Sequence, residues 1–107
     1  TPFDILSQGC QPGLVDLELD VAWAQKGGHD PADLIASLGT QSPLIHLKDL
    51  SEAGGDANIG DGLLDIAAVL KAAHRVGVVW GIVERDSAPP PTLQSARANL
   101  EALRAPQ

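Results

Sequence analysis

The chain has 107 residues, 44% of them apolar and 20% charged, which is one domain's worth of sequence with enough apolar residues to bury a core. Fourteen acidic residues against seven basic leave a formal charge of −7, and aromatic residues make up 3%. Both figures argue against a nucleic-acid partner, because phosphate backbones need clustered Lys and Arg and unstacked bases need aromatic platforms. No apolar run approaches the ~20 residues of a membrane-spanning helix, and the lone Cys10 excludes an internal disulfide framework or a cysteine zinc cluster. No basic stretch followed by an apolar one opens the chain as a signal peptide would, so the expected compartment is the cytoplasm.

In chain order, Phe3-Asp4-Ile5-Leu6 reads as the end of a helix. Leu14–Val21 alternates apolar and polar residues and reads as a strand. Asp30-Pro31 sets a capping carboxylate before a proline at the first helical position; Leu34, Ile35 and Leu38 follow, and Gly39 stops that helix. Leu44–Asp49 is the second expected strand, and the Gly-rich stretch 51–62 after it reads as a mobile loop. Asp65 is placed to cap a helix whose apolar residues Ile66, Val69, Leu70, Ala73 and Val76 keep a 3.6-residue period up to Gly77. The third strand, Val78–Asp86, is rich in β-branched residues. After Pro89-Pro90-Pro91, Thr92 is expected to cap a last helix with Leu93, Ala96, Leu100 and Leu103 on one face.

Strand and helix therefore alternate three times, and the intervals of about 30 residues suit parallel strands joined by helical crossovers. The expected class is α/β. Side chains alternate between sheet faces. One face collects Val15, Leu17, Leu19, Val21, Ile45, Leu47, Val79, Gly81 and Val83, all suited to packing under helices. The other collects Asp16, Glu18, Asp20, His46, Lys48, Trp80, Ile82, Glu84 and Asp86, with the polar residues toward the strands' C-terminal ends. Either this face is simply wet, or its polar ends converge in a cleft, where α/β folds place ligands and parallel sheets are otherwise covered. Asp, His and Glu from neighbouring strands suit a hard or borderline divalent ion, although any two of them also suit an ion pair.

The strings at 17–24 (Leu-Glu-Leu-Asp-Val-Ala-Trp-Ala), 43–49 (Pro-Leu-Ile-His-Leu-Lys-Asp), 60–62 (Gly-Asp-Gly) and 83–86 (Val-Glu-Arg-Asp) occur in this order and spacing. As a set they resemble the C-terminal part of the sugar phosphate isomerase/epimerase family, the xylose isomerase-like TIM barrels, over nearly the whole chain. The resemblance implies that residues 1–107 supply the last three βα units of a (β/α)8 barrel, matching its sixth to eighth strands, and are incomplete as a barrel alone. A full barrel needs eight strands and typically ~250 residues. The chain is then expected either to be a piece of a longer protein or to complete its sheet by association, since long open strand edges are avoided.

In that family one divalent metal (Mn, Mg, Zn or Co) sits at the barrel mouth, held by Glu, Asp, His and Glu from successive strands. The resemblance places the metal ligands at Asp20, His46 and Glu84; the remaining Glu belongs to a preceding strand and has no counterpart here. It implies a metal-dependent isomerase or epimerase acting on a sugar or sugar phosphate. A proton leaves the carbon next to a carbonyl while the metal polarises the oxygens and stabilises the enediolate. Glu84 is then also the catalytic residue that moves the proton. Lys48 is a candidate substrate-binding residue, or a partner of Asp20 or Glu84. Trp23 is either a sugar-stacking wall or a cap on the hydrophobic layer.

Asp86 reads as a solvated loop charge rather than a group orienting a ligand, and the sequence gives no pairing for Asp16 or Glu18. His74 reads as a surface residue at a helix C-terminus, His29 lies near the proposed mouth without a matched role, and Cys10 reads as inert. The 56–62 loop fails as an EF-hand, because the twelfth position counted from Asp56 is Ala67 rather than Glu. Its glycines suit a tight turn, and phosphate binding by the Gly60 and Gly62 N–H groups is a weaker alternative. Competing functions are a polyol dehydratase or endonuclease-like enzyme on the same scaffold, and a catalytically incomplete barrel serving as a sugar-binding or assembly module.

Overall fold

The structure is a computed structural model and describes residues 1–105. Helix α1 (Pro2–Gly9) contains the stretch Phe3–Leu6 and starts at Thr1, whose hydroxyl and the Asp4 carboxylate form a reciprocal capping box. Strand β1 (Glu18–Asp20) follows, then α2 (Val21–Lys26), α3 (Pro31–Leu38) and a 3-10 turn (Gly39–Gln41). Next come β2 (Leu44–Leu47), β3 (Asp49–Leu50), β4 (Asp56–Ala57), α4 (Ile66–Val76), β5 (Trp80–Val83) and α5 (Thr92–Arg104). The main sheet is parallel in the order β1-β2-β5, and its strands are joined by helical crossovers. The fold class is α/β, as expected.

The register settles the two faces. Leu19, Ile45 and Gly81 are neighbours across the three strands, as are Leu47 and Val83. Leu19, Ile45 and Leu47 are buried against Val21, Ile35, Val69 and Ala73 from α2, α3 and α4. Ile35, Ile45, Val21 and Val69 have lost essentially all contact with solvent, and each such side chain contributes about 1.5–3 kcal/mol through burial. Glu18, Leu44 and Trp80 share the opposite face, as do Asp20, His46 and Ile82. There Trp80 is 65% exposed and Ile82 44% exposed, so this side of the sheet is open.

The helix starts follow the capping rules at Asp30 and Asp65, whose carboxylates accept from Asp33 N and Ala68 N at 3.0 and 2.9 Å. Gly77, at φ +81°, ends α4 in the left-handed conformation that other residues resist.

Several expectations need correction, among them the second strand, which ends at Leu47 rather than Asp49. The first strand is three residues long rather than Leu14–Val21. Leu14 and Val15 belong to a turn, with both N–H groups directed to the Gln11 carbonyl, and before β2 begins at Leu44 only Leu17 N reaches across, to the Gln41 carbonyl. Val21 is the first residue of α2 because Asp20 caps that helix. The third strand is shorter than Val78–Asp86 at both ends: Val78 N still bonds to Ala73 O of α4, and partners end where Asp49 turns away into β3. Thr92 is the first helical residue of α5 rather than its cap; the cap position falls to Pro91, without a side-chain bond. Finally, Leu93 and Leu100 of α5 stand exposed, and the helix turns the amide of Asn99 inward instead. Ala96, Leu100 and Leu103 line an open cavity of about 360 Å3 beside Val83.

The stretch 51–62 is not a loose loop. It folds back as an antiparallel ribbon of β3 and β4, with Asp49 opposite Ala57 and Leu50 opposite Asp56. Arg85 holds its far side, donating to Asn58 Oδ1 at 2.7 Å, Ser95 Oγ at 2.8 Å and the Asp56 carbonyl at 3.1 Å. Ile59 N donates to the buried Asn99 side chain at 2.8 Å, and Ser87 N to Asp56 Oδ2 at 2.8 Å. Partial burial opposes ionisation of Asp56, but bonds from the Ser87 and Asp86 backbone and the charges of Lys48 and Arg85 outweigh it and hold the carboxyl below its ordinary 3.8. A depressed folded value means stabilisation that is present above 3.8 and lost as the pH falls through the folded value. Asp56→Asn is therefore expected to cost about 1 kcal/mol near neutral pH and to flatten the acid limb of stability below pH ~4. Urea unfolding between pH 6 and pH 2 checks this; parallel curves for the two proteins would contradict it.

Candidate functional site

Asp20 ends β1, His46 is the third of the four residues of β2, and Glu84 follows β5 directly, with its N–H still bonded to Leu47 O. Register and alternation bring all three to one end of one sheet face. A ligand atom from each falls within 4.8 Å of the other two, and all three residues are partly accessible. His46 Nδ1 lies 3.0 Å from Glu84 Oε2 and 3.9 Å from Asp20 Oδ2. Two donors held about 2.1 Å from one tetrahedral ion sit about 3.4 Å apart, a value between these two spacings, so a small adjustment would let them share a cation. The donor chemistry fits as well, since two carboxylate oxygens and one imidazole nitrogen form a mixed set for a borderline divalent ion.

Asp20 has two tasks. Its Oδ1 accepts the Trp23 N–H at 2.9 Å and starts α2, which leaves Oδ2 facing the cluster. The cap fixes the carboxylate's rotation, so the ligand atom is aimed by the same bond that nucleates the helix. Trp23 stands 58% exposed near this edge, with Lys26 Nζ 4.5 Å from its ring centroid. It borders a cavity of about 490 Å3 that also touches Phe3, Glu18, Asp20, His29 and Leu34.

Lys48 is buried, and its ammonium lies 3.0 Å from Glu84 Oε2, 3.5 Å from Asp20 Oδ2 and 3.0 Å from Asp86 Oδ2. Burial works against its charge. The bonds to Asp86 and Glu84 and the charges of Asp20 and Glu84 more than compensate, and raise its pKa above the ordinary lysine value. Asp86 is thus a partner of Lys48, donated to at 3.0 Å, rather than only a solvated loop charge. Glu18, for which alternation gave the face but no pairing, brings Oε1 to 2.9 Å from His46 Nε2. It reaches the ring diagonally across the strand pair, where side chains two positions apart still meet. Asp16 lies before β1 begins and outside this cluster.

Sequence reasoning also missed Asp49, which is completely buried. Its Oδ1 accepts from Leu50 N at 2.8 Å and Leu64 N at 3.1 Å; its Oδ2 accepts from Gly60 N at 3.0 Å and Gly62 N at 3.1 Å. The phosphate reading of the Gly-Asp-Gly turn therefore fails, because those N–H groups are already taken. The signal was present in the sequence as an Asp directly after Lys48 and a Gly-rich turn soon after. Alternation along the second expected strand instead assigns that Asp to the strand's end.

No protein-family model matches the sequence, and no curated protein matches it. Among solved structures, the chain is similar to a crystal structure of a sugar phosphate isomerase/epimerase from Parabacteroides distasonis, with a TM-score of 0.77 over 97% of this chain at 22% identity. The likeness establishes the fold. The chain spans 36% of the length of that structure, and no helix among its described residues is long and apolar enough to cross a membrane.

Proposed function

We propose that this chain carries part of the active site of a metal-dependent isomerase or epimerase acting on a sugar or sugar phosphate. The observation that carries the reading is the convergence of Asp20, His46 and Glu84 from three adjacent parallel strands onto one point. The likeness to a sugar phosphate isomerase/epimerase supports it at the level of fold. These three residues would hold one divalent cation, which when bound supplies Lewis-acid polarisation of a substrate carbonyl and its neighbouring hydroxyl. Glu84 is the base, and a carboxylate can take the proton from the carbon next to the carbonyl. Returning that proton to the adjacent carbon is isomerisation; returning one to the other face of the same carbon is epimerisation and needs a second group opposite Glu84. Lys48, buried with its three N–H groups directed to Asp20, Glu84 and Asp86, pairs with these carboxylates rather than reaching a substrate oxygen, and the exposed Trp23 ring borders the cavity where the apolar face of a sugar would lie.

The same reading requires more sheet. β1 and β5 each have one unpaired edge in the main sheet, and Trp80 and Ile82 are open to solvent. The rest of a barrel, or a second copy of this chain, would cover both edges. Native mass spectrometry in the presence of Zn2+ tests assembly and metal together. The expected species is heavier than the 11.1 kDa of the single chain and carries metal. In His46→Ala the metal is lost while assembly persists. A metal-free 11.1 kDa monomer, or metal bound equally without His46, would overturn the proposal in favour of a binding or assembly module.

A further inference from the structure

The imidazole of His46 presents its two nitrogens to different neighbours. Nδ1 faces the cluster, at 3.0 Å from Glu84 Oε2 and 3.9 Å from Asp20 Oδ2, whereas Nε2 meets Glu18 Oε1 at 2.9 Å. A neutral imidazole has one N–H and one lone pair, and only the nitrogen with the lone pair can ligate. We propose that Glu18 is a positioning residue: its carboxylate accepts a hydrogen bond from His46 Nε2–H and thereby leaves the Nδ1 lone pair for the cation that Asp20 and Glu84 would share. The inference rests on the metal reading above and adds the group that selects the ligating atom.

The alternatives for this task are closed by chemistry. Lys48, just past the end of β2, is a donor only and cannot accept an N–H. Asp86 is taken up by Lys48, and Asp20 and Glu84 are on the Nδ1 side. The strand register explains why Glu18 is available. Asp20 lies directly opposite His46, and Glu18 is two residues earlier on the same face, so one strand reaches the ring from both sides. Partners that orient ligating histidines in this way are commonly carboxylates, and losing one typically weakens metal binding 10- to 100-fold. Glu18 is 42% exposed at its side chain, so its contact is partly screened by water and its effect falls on ring orientation more than on global stability.

The test compares the purified protein with Glu18→Gln, Glu18→Ala and His46→Ala, using Zn2+ alone as the probe. Calorimetric titration is expected to show Glu18→Ala binding Zn2+ about 10- to 100-fold more weakly. Glu18→Gln, whose amide oxygen still accepts the hydrogen bond, should stay close to the unsubstituted protein. In the zinc-loaded, 15N-labelled protein, the His46 ring should ligate through Nδ1 and show a protected Nε2–H. That N–H signal should survive in Glu18→Gln and be lost to solvent exchange in Glu18→Ala. Circular dichroism confirms that each variant keeps its helices. Zinc bound as tightly in Glu18→Ala, or ligation through Nε2, overturns this inference alone. Absence of His46-dependent zinc binding in the unsubstituted protein overturns the metal reading and this inference with it.

Discussion

Replacing Asp49 by alanine is expected to lower the unfolding free energy by about 4 kcal/mol, among the largest losses of any single substitution in this chain. The buried carboxylate satisfies four backbone N–H groups, those of Leu50, Gly60, Gly62 and Leu64. A hydrogen bond to a charged group contributes about 1.5–3 kcal/mol, and a buried donor left without a partner costs about 1–3 kcal/mol, although such terms do not simply add. Asp49→Asn keeps the shape but turns one acceptor into a donor facing N–H groups, so an intermediate loss of about 2–3 kcal/mol is expected. Urea unfolding measures both. A built-in check comes from Gly62, where an added Cβ would lie 2.5 Å from both the Asp49 carboxyl carbon and the Leu50 carbonyl oxygen. Gly62→Ala should be severe alone and less severe on an Asp49→Ala background, because part of the clash is then gone. Additive effects in that double-mutant cycle would refute the account. The consequence for the site is direct, since Asp49 is the residue after Lys48 and ties the end of β2 to the ribbon that Arg85 and Asp56 hold beside β5.

Much of this arrangement was legible in the sequence, and the reasons are physical. Strict alternation identified the face that carries Asp20, His46 and Glu84, because the side-chain period of a strand is fixed at two. Aspartates before helical runs located the starts of α3 and α4, because an unsatisfied N-terminal N–H group calls for a nearby oxygen. Strand length was less legible. A parallel strand lasts only as long as its neighbour offers partners, so the good alternation of Leu14–Leu17 could not extend β1 past the start of β2. The order of the stretch 51–62 is hidden from the sequence for a related reason. Its glycines suggest freedom, but its order comes from Asp49, Arg85 and Asn99, all remote in sequence from the groups they hold. The pairings of Glu18 with His46 and of Asp86 with Lys48 also depend on register between strands, which alternation within one strand cannot supply.

Removing the Lys48 charge should have opposite effects on the fold and on metal binding. Four carboxylates, those of Glu18, Asp20, Glu84 and Asp86, gather around His46 and Lys48, and the Lys48 ammonium lies within 3.5 Å of three of them. Deleting one partner of a fully buried ion pair typically costs 3–5 kcal/mol, but here only Lys48 is buried, and Asp20, Glu84 and Asp86 are 15, 38 and 60% exposed, so water screens part of the loss. Lys48→Met, which keeps the buried stem, is therefore expected to lose about 2 kcal/mol in the presence of a chelator. The same substitution removes a positive charge that draws on Asp20 Oδ2 and Glu84 Oε2, the oxygens a cation would use. Zinc affinity should rise about tenfold, equivalent to about 1.4 kcal/mol, and saturating zinc should recover much of the lost stability. Both measurements belong at pH 7–8. With a pKa above the ordinary 10.5, Lys48 is fully charged there, and its stabilising contribution is lost only as the pH rises through its folded value. A fall in zinc affinity would mean instead that Lys48 holds Asp20 and Glu84 in ligating geometry, so that the ammonium builds the cation site rather than competing for it.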